Sequence, residues 1–142
     1  MYSANTSWSV FLFTVNLFVL PLLARASGIG IFQTYEVYIF NNFDNNANEL
    51  IVHCKSADDD LGDHFLDQDG NWHWKFRVNF FRSTLFFCHV QWGGMETSFT
   101  VFDTDYISYK CEDTSTCFWS VRNDGIYFSC DNENYVKRYI WP

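Results

Sequence analysis

Neither GxSxG nor HExxH occurs in this chain of 142 residues, and no glycine-rich phosphate loop is present, so the commonest signatures of serine hydrolysis, zinc proteolysis and nucleotide chemistry are missing. Zinc-knuckle spacing is absent as well: it needs CxxC-like or HxxxH pairs, and the closest cysteines, Cys111 and Cys117, lie too far apart. Basic residues are scarce, 9 Lys and Arg against 17 Asp and Glu. A formal charge of −8 repels phosphate backbones and anionic lipid surfaces, which argues against nucleic acid as a partner. There is no internal repeat, no low-complexity tract and no internal linker, and no sustained 3.6-residue apolar period between helix caps.

Long apolar runs are confined to the N-terminus. Residues 8–23 form a run of 16 that contains Asn16 and Pro21, short of the roughly 20 that cross a bilayer as a helix. Ala24 and Ala26 flank Arg25 in the small-x-small pattern read by signal peptidase, which places cleavage after Ala26. No Lys or Arg precedes the run, so the α-amine alone supplies the positive end of the signal. The expected organisation is a signal peptide at 1–26 and one domain at 27–142, secreted, extracellular and without stable membrane insertion. Removing the leader takes away Arg25 and no acid, leaving 8 basic side chains against 17 acidic ones.

What the mature part has in abundance is alternation with period two. Trp72, Trp74, Phe76, Val78 and Phe80 share one face, and His73, Lys75, Arg77 and Asn79 the other, as in an antiparallel strand between a core and water. Further strands are expected at 35–41, 49–55, 84–92, 97–103, 106–110, 117–122, 126–131 and 135–141, with turn chemistry at 41–48, 68–71, 92–95 and Asn123-Asp124-Gly125. The fold class is therefore all-β: a small antiparallel β-sandwich of about eight strands. All five cysteines enter the oxidising secretory route, where two bridges and one leftover thiol are expected, and spacing does not choose the pairs. Alternation points Cys54, Cys88 and Cys117 into the core, puts Cys130 on the face of Ile126 and Phe128, and leaves Cys111 at a strand end.

Val52-His53-Cys54-Lys55-Ser56 followed by Asp58-Asp59-Asp60-Leu61-Gly62 resembles the plant self-incompatibility S1 family, the S-protein homologues. The resemblance continues through Trp74-Lys75-Phe76, Asn79-Phe80-Phe81, Thr84-Leu85-Phe86-Phe87-Cys88, Gln91-Trp92, Cys117-Phe118-Trp119 and Asp124-Gly125-Ile126-Tyr127-Phe128, nearly the whole mature chain in order. It implies a secreted β-sandwich with two disulfides, no cofactor, and a cell-surface receptor protein as partner, since the best understood members are pistil ligands of a receptor in the pollen membrane. The family's four cysteines correspond to Cys54, Cys88, Cys111 and Cys117, which makes Cys130 the free thiol. With Cys54 and Cys117 both facing inward and the 84–92 segment returning the chain, the resemblance leads to bridges from Cys54 to Cys117 and from Cys88 to Cys111. The one N-x-Ser/Thr sequon, Asn5-Thr6-Ser7, lies in the leader, so the glycosylation seen in some relatives is not expected.

The residues offer few alternatives to binding. His53-Cys54 and Cys88-His89 suggest a thiol nucleophile and base, yet neighbours on a strand point to opposite faces. The acidic stretch Asp58 to Asp60 with Asp63, Asp67 and Asp69 lacks EF-hand spacing and reads as turn-capping carboxylates, so no metal is assigned. Paired carboxylates would serve a secreted hydrolase only with one raised pKa in a cleft, and the aromatics would serve a lectin-like carbohydrate-binding protein only if they left the core. No catalytic residue is assigned. Partner contacts are expected in loops 41–48, 63–71, 93–96 and 112–116, at Asn42, Phe43, Asp44, Phe65, Asp67, Asp69, Met95, Glu96, Glu112 and Asp113, with Tyr106 as a further loop aromatic.

Overall fold

The computed structural model describes residues 32–79 and 83–142; the expected leader and its cleavage site lie outside them. Among the described residues, nine strands and one helical turn follow in order: β1 (Phe32–Asn41), β2 (Leu50–Lys55), β3 (Asp60–Leu66), β4 (Asn71–Asn79), β5 (Leu85–Trp92), β6 (Met95–Asp103), α1 (Ile107–Lys110), β7 (Thr116–Arg122), β8 (Gly125–Ser129) and β9 (Val136–Tyr139). They make two sheets, one of five strands in the order β4-β1-β7-β8-β9 and one of four in the order β3-β2-β5-β6. Among the described residues no helix is long and apolar enough to cross a membrane.

Alternation builds the core as expected. Tyr35, Val37 and Ile39 of β1, Cys117, Trp119 and Val121 of β7, and Ile126 of β8 meet Leu50, Val52 and Cys54 of β2 and Cys88 and Val90 of β5, all 1% exposed or less. At roughly 1.5 to 3 kcal/mol for each large apolar side chain buried, this contact between sheets is the main stabilising term. Two large side chains inside it pair their polar atoms: the Trp119 indole donates to the Val101 carbonyl at 3.0 Å, and the Tyr35 hydroxyl to the Ser108 carbonyl at 3.0 Å. In β6 a register shift turns both Val101 and Phe102 inward, which fills the core beyond what strict alternation allows.

Three expectations are corrected here. One pair, β1 with β7, is parallel, because β6 ends where β1 begins and the chain re-enters the larger sheet from that end. Residues 106–110 form no strand: the Asp103 carboxylate accepts from the backbone N–H of Tyr106 at 2.6 Å and of Ile107 at 3.1 Å, and so closes a helical turn. The acidic stretch is not all turn, since Asp60 to Leu66 pairs with β2 as an edge strand.

The fourth correction concerns the bridges. Cys54 joins Cys88 and Cys111 joins Cys130, leaving Cys117 as the free thiol, in place of the pairs Cys54 with Cys117 and Cys88 with Cys111 and a free Cys130. Inward orientation is common to Cys54, Cys88 and Cys117, but it does not make them equidistant. Cys54 and Cys88 face each other on adjacent strands with Cα atoms 4.0 Å apart, whereas sheets of a sandwich stack about 10 Å apart, beyond disulfide reach. Cys111, carried off the strand path by α1, meets Cys130 just past β8 at a Cα separation of 5.2 Å.

Candidate functional site

The outer face of the four-stranded sheet is a grid set by strand register. Phe65, Ile51, Gln91 and Glu96 form one row across β3, β2, β5 and β6; Asp63, His53, His89 and Ser98 form the next, with Lys55 and Phe87 beside it. The β2, β3 and β5 members of this grid line a shallow groove of about 360 Å³. Its apolar members are Ile51, Phe87 and Phe65, and Phe65 is 59% exposed because β3 is an edge strand with no neighbour to cover it.

The groove's polar groups are largely engaged with each other. His53 stands between two carboxylates, with Nε2 2.6 Å from Asp60 and Nδ1 2.8 Å from Asp63. Asp60 also accepts the Gly62 backbone N–H at 3.0 Å; that bond and the one to His53 hold its carboxyl below the ordinary range. On the other side of the groove, His89 Nδ1 lies 2.9 Å from the Ser98 hydroxyl and Nε2 lies 3.4 Å from Glu96. The two cysteines adjacent in sequence to these histidines are buried and bridged to each other, on the opposite face of the sheet. Neither His–Cys pair therefore meets side chain to side chain.

The expected contact residues do not converge. Loops β1–β2, β3–β4 and β7–β8 meet at one end of the sandwich, where Asp69 N–H donates to the Asn41 carbonyl at 2.8 Å and Asp44 N–H to the Asn123 side chain at 2.9 Å. Asn42, Asp44, Asp67 and Asp69 lie there, and Met95 and Glu96 follow the β5–β6 turn; Glu112 and Asp113 precede β7 at the opposite end. Phe43 is corrected outright: it is 1% exposed and stacks on Trp92 at 4.2 Å, because Asn41 Oδ1 accepts the Phe43 N–H at 3.2 Å and folds the loop inward. Phe65 is exposed as expected, though on a strand. The groove residues Ile51, His53, Phe87 and His89 are absent from the expected contact set, although their place opposite buried Val52, Cys54, Cys88 and Val90 is readable from period two.

The outer face of the five-stranded sheet carries aromatics of a different kind. His73, Tyr38 and Phe118 stand in one row across β4, β1 and β7, with ring centroids 4.5 and 5.2 Å apart and planes tilted by 23° and 26°. Rings stacked this way cover one another's faces. Among the described residues no group of three His, Cys, Asp or Glu side chains is placed to hold a metal ion.

A family model described as plant self-incompatibility protein S1 matches residues 36–141. Among Arabidopsis thaliana proteins, S-protein homolog 7 is 32% identical over 133 residues, which cover 89% of this chain and 98% of its own length. S-protein homolog 24 is 39% identical over 99 residues, 68% of this chain and 63% of its own length, and S-protein homolog 5 is 41% identical over 76 residues, 54% and 57%. The matched stretch thus spans less than two thirds of the latter two relatives. A solved structure described as that of self-incompatibility protein homologues, a widespread family of small, highly stable, secreted proteins from plants, shares the fold with a TM-score of 0.60, 22% identity, and coverage of 77% of this chain and 95% of that one.

Proposed function

The chain belongs to the plant self-incompatibility S1 family, and from that membership we propose that it acts outside the cell as a ligand or binding module for a cell-surface receptor protein. The observation that carries this reading is Phe65, an aromatic 59% exposed beside Ile51 and Phe87 in a groove rimmed by Asp60, Asp63 and Glu96. An apolar centre with a polar rim is the arrangement of a contact surface, and a large aromatic is the residue type that most often dominates such contacts.

The competing readings have less support. Hydrolysis by paired carboxylates needs one acid held above its ordinary pKa, and Asp60 is shifted the other way. A lectin face on the five-stranded sheet needs free ring faces for sugars, and the Tyr38 row has turned them toward each other. The test is binding of labelled mature protein to plant cell surfaces. Saturable binding, competed by unlabelled protein and weakened about tenfold or more by Phe65→Asp, is expected. Binding that Phe65→Asp leaves unchanged, or that soluble neutral glycans compete away, would overturn the reading.

A further inference from the structure

In a chain with so few cations, two of them go unneutralised at one place. Lys75 and Lys137 have carboxylate partners, Glu36 at 3.9 Å and Asp124 at 2.9 Å. Lys110 and Arg138 have none within 4 Å among the described residues. They converge instead on one phenol: Arg138 Nη1 donates to the Tyr106 hydroxyl at 2.9 Å, its guanidinium lies 5.0 Å from the ring centre, and Lys110 Nζ lies 5.3 Å from it. The three residues come from α1, the segment before it and the edge strand β9, and the Cys111–Cys130 bridge ties the end of α1 to the segment between β8 and β9.

Beside them is a cavity of about 190 Å³ lined by Lys110, Phe128, Cys130, Asn134, Val136 and Arg138. Val136, 63% exposed, gives this cavity an apolar wall. An exposed apolar wall beside two cations suits a ligand that joins a negative charge to an apolar face. The Tyr106 phenol is held below its ordinary pKa by Arg138 first and Lys110 second, so negative charge is stabilised at this spot despite the acidity of the whole chain. The cavity is smaller than the roughly 300 Å³ of a drug-sized pocket, which suits one sugar ring.

We propose that Lys110, Arg138 and Val136 form a binding site for a uronic-acid unit of an acidic oligosaccharide, with its carboxylate between the two cations and its apolar ring face on Val136. Asn134, whose Nδ2 donates to the Asp131 carboxylate at 2.7 Å, has its Oδ1 left to accept from a hydroxyl in the same cavity. This site is separate from the Phe65 groove and stands whether or not that groove binds a receptor.

Calorimetric titration of the mature protein with a short unesterified oligogalacturonate tests it, with the fully methyl-esterified oligomer and polyglutamate as comparisons. Saturable binding of the unesterified sugar is expected, weakened about tenfold by Lys110→Gln and by Arg138→Gln, weakened also by Val136→Ser, and unchanged by Lys75→Gln. Melting temperatures of the variants, kept close to that of the parent, separate lost binding from lost folding. Absence of binding by the parent protein, equal affinity for the esterified oligomer, or polyglutamate bound as tightly as the sugar would overturn the assignment.

Discussion

Single residues in this molecule are decided by the atoms in direct contact with them. Gly125 closes the β7–β8 turn at φ +149°, and a Cβ there would sit 2.5 Å from the backbone carbonyl of Tyr139 on β9. That neighbour is main chain in a paired strand and cannot swing aside, so Gly125→Ala is expected to destabilise by about 2 to 4 kcal/mol. Gly94→Ala is the control, with nothing within 4 Å of the added carbon, and should stay within about 0.5 kcal/mol; equal urea midpoints for the two variants would refute the steric account. Cys117 is decided by burial, which pushes its thiol up to about 12, with Asp103 adding to the shift. Thiolate is the reactive form, so alkylation at neutral pH should be negligible in the folded protein and reach one thiol per chain after unfolding, with the label on the peptide containing Cys117. A label on Cys130 would refute the bridge from Cys111.

Elements made of strict alternation were legible in the sequence, and those held by a local hydrogen bond were not. Strand β4 reads correctly because Trp72, Trp74, Phe76 and Val78 all turn inward, and eight of the nine strands lie in or close to the segments marked by period two. β3 was hidden because Asp60, Gly62 and Asp63 weaken its pattern, as edge strands allow when they are covered on one side alone. The segment 106–110 alternates as a strand would, yet the Asp103 carboxylate offers its N–H groups a nearer partner than any sheet edge. Asp103→Ala is therefore expected to lower stability by about 1 kcal/mol, the usual cost of losing a carboxylate that accepts from backbone N–H groups at the start of a helical turn. Because α1 carries Lys110, the same variant should weaken oligogalacturonate binding; a urea midpoint equal to that of the parent would show that the turn does not depend on Asp103.

At the scale of the whole molecule, the candidate sites were less legible than the fold because they arise from juxtapositions across sequence. Lys110 and Arg138 meet through β9 pairing, and the Phe65 row through β2, neither of which spacing reveals. The cysteine pairing failed for the same reason: facing direction is a property of one strand, whereas partner choice depends on which strands are neighbours. On the chain-entropy model the two observed bridges, closing separations of 34 and 19 residues, each destabilise the unfolded chain by roughly 3 to 4 kcal/mol.

The charge states of the fold set a wide pH range for that stability. On the acid side, Asp60, Asp124 and Asp131 are all lowered: Asp60 chiefly by the Gly62 N–H, Asp124 by Lys137, and Asp131 by the Asn134 backbone N–H followed by the Asn134 side chain, Glu133 and Ser129. A carboxylate depressed on folding contributes stability that is present above its unfolded pKa and lost as pH falls through its folded one, so these three begin to cost stability only below the ordinary carboxylate value of 3.8. On the alkaline side the sign reverses. Cys117 rises from 9.0 and Tyr35 from 10.0, each to about 12, both chiefly because burial excludes the charged form. A group raised on folding contributes stability that is fully present below its unfolded pKa and lost as pH rises toward its folded one. Above pH 9.0 for Cys117, and above 10.0 for Tyr35, the unfolded chain gives up a proton that the native state retains, and stability falls by roughly 1.4 kcal/mol per pH unit for each group. Urea midpoints measured across the pH scale should therefore be nearly flat from about pH 5 to 8 and fall away steeply on the alkaline side. Cys117→Ala should start that fall about one pH unit later, since the remaining raised groups, Tyr35, Tyr38 and Tyr135, are phenols that lose their protons from 10.0 upward in the unfolded chain. An alkaline limb that Cys117→Ala leaves in place would show that the buried thiol does not set it.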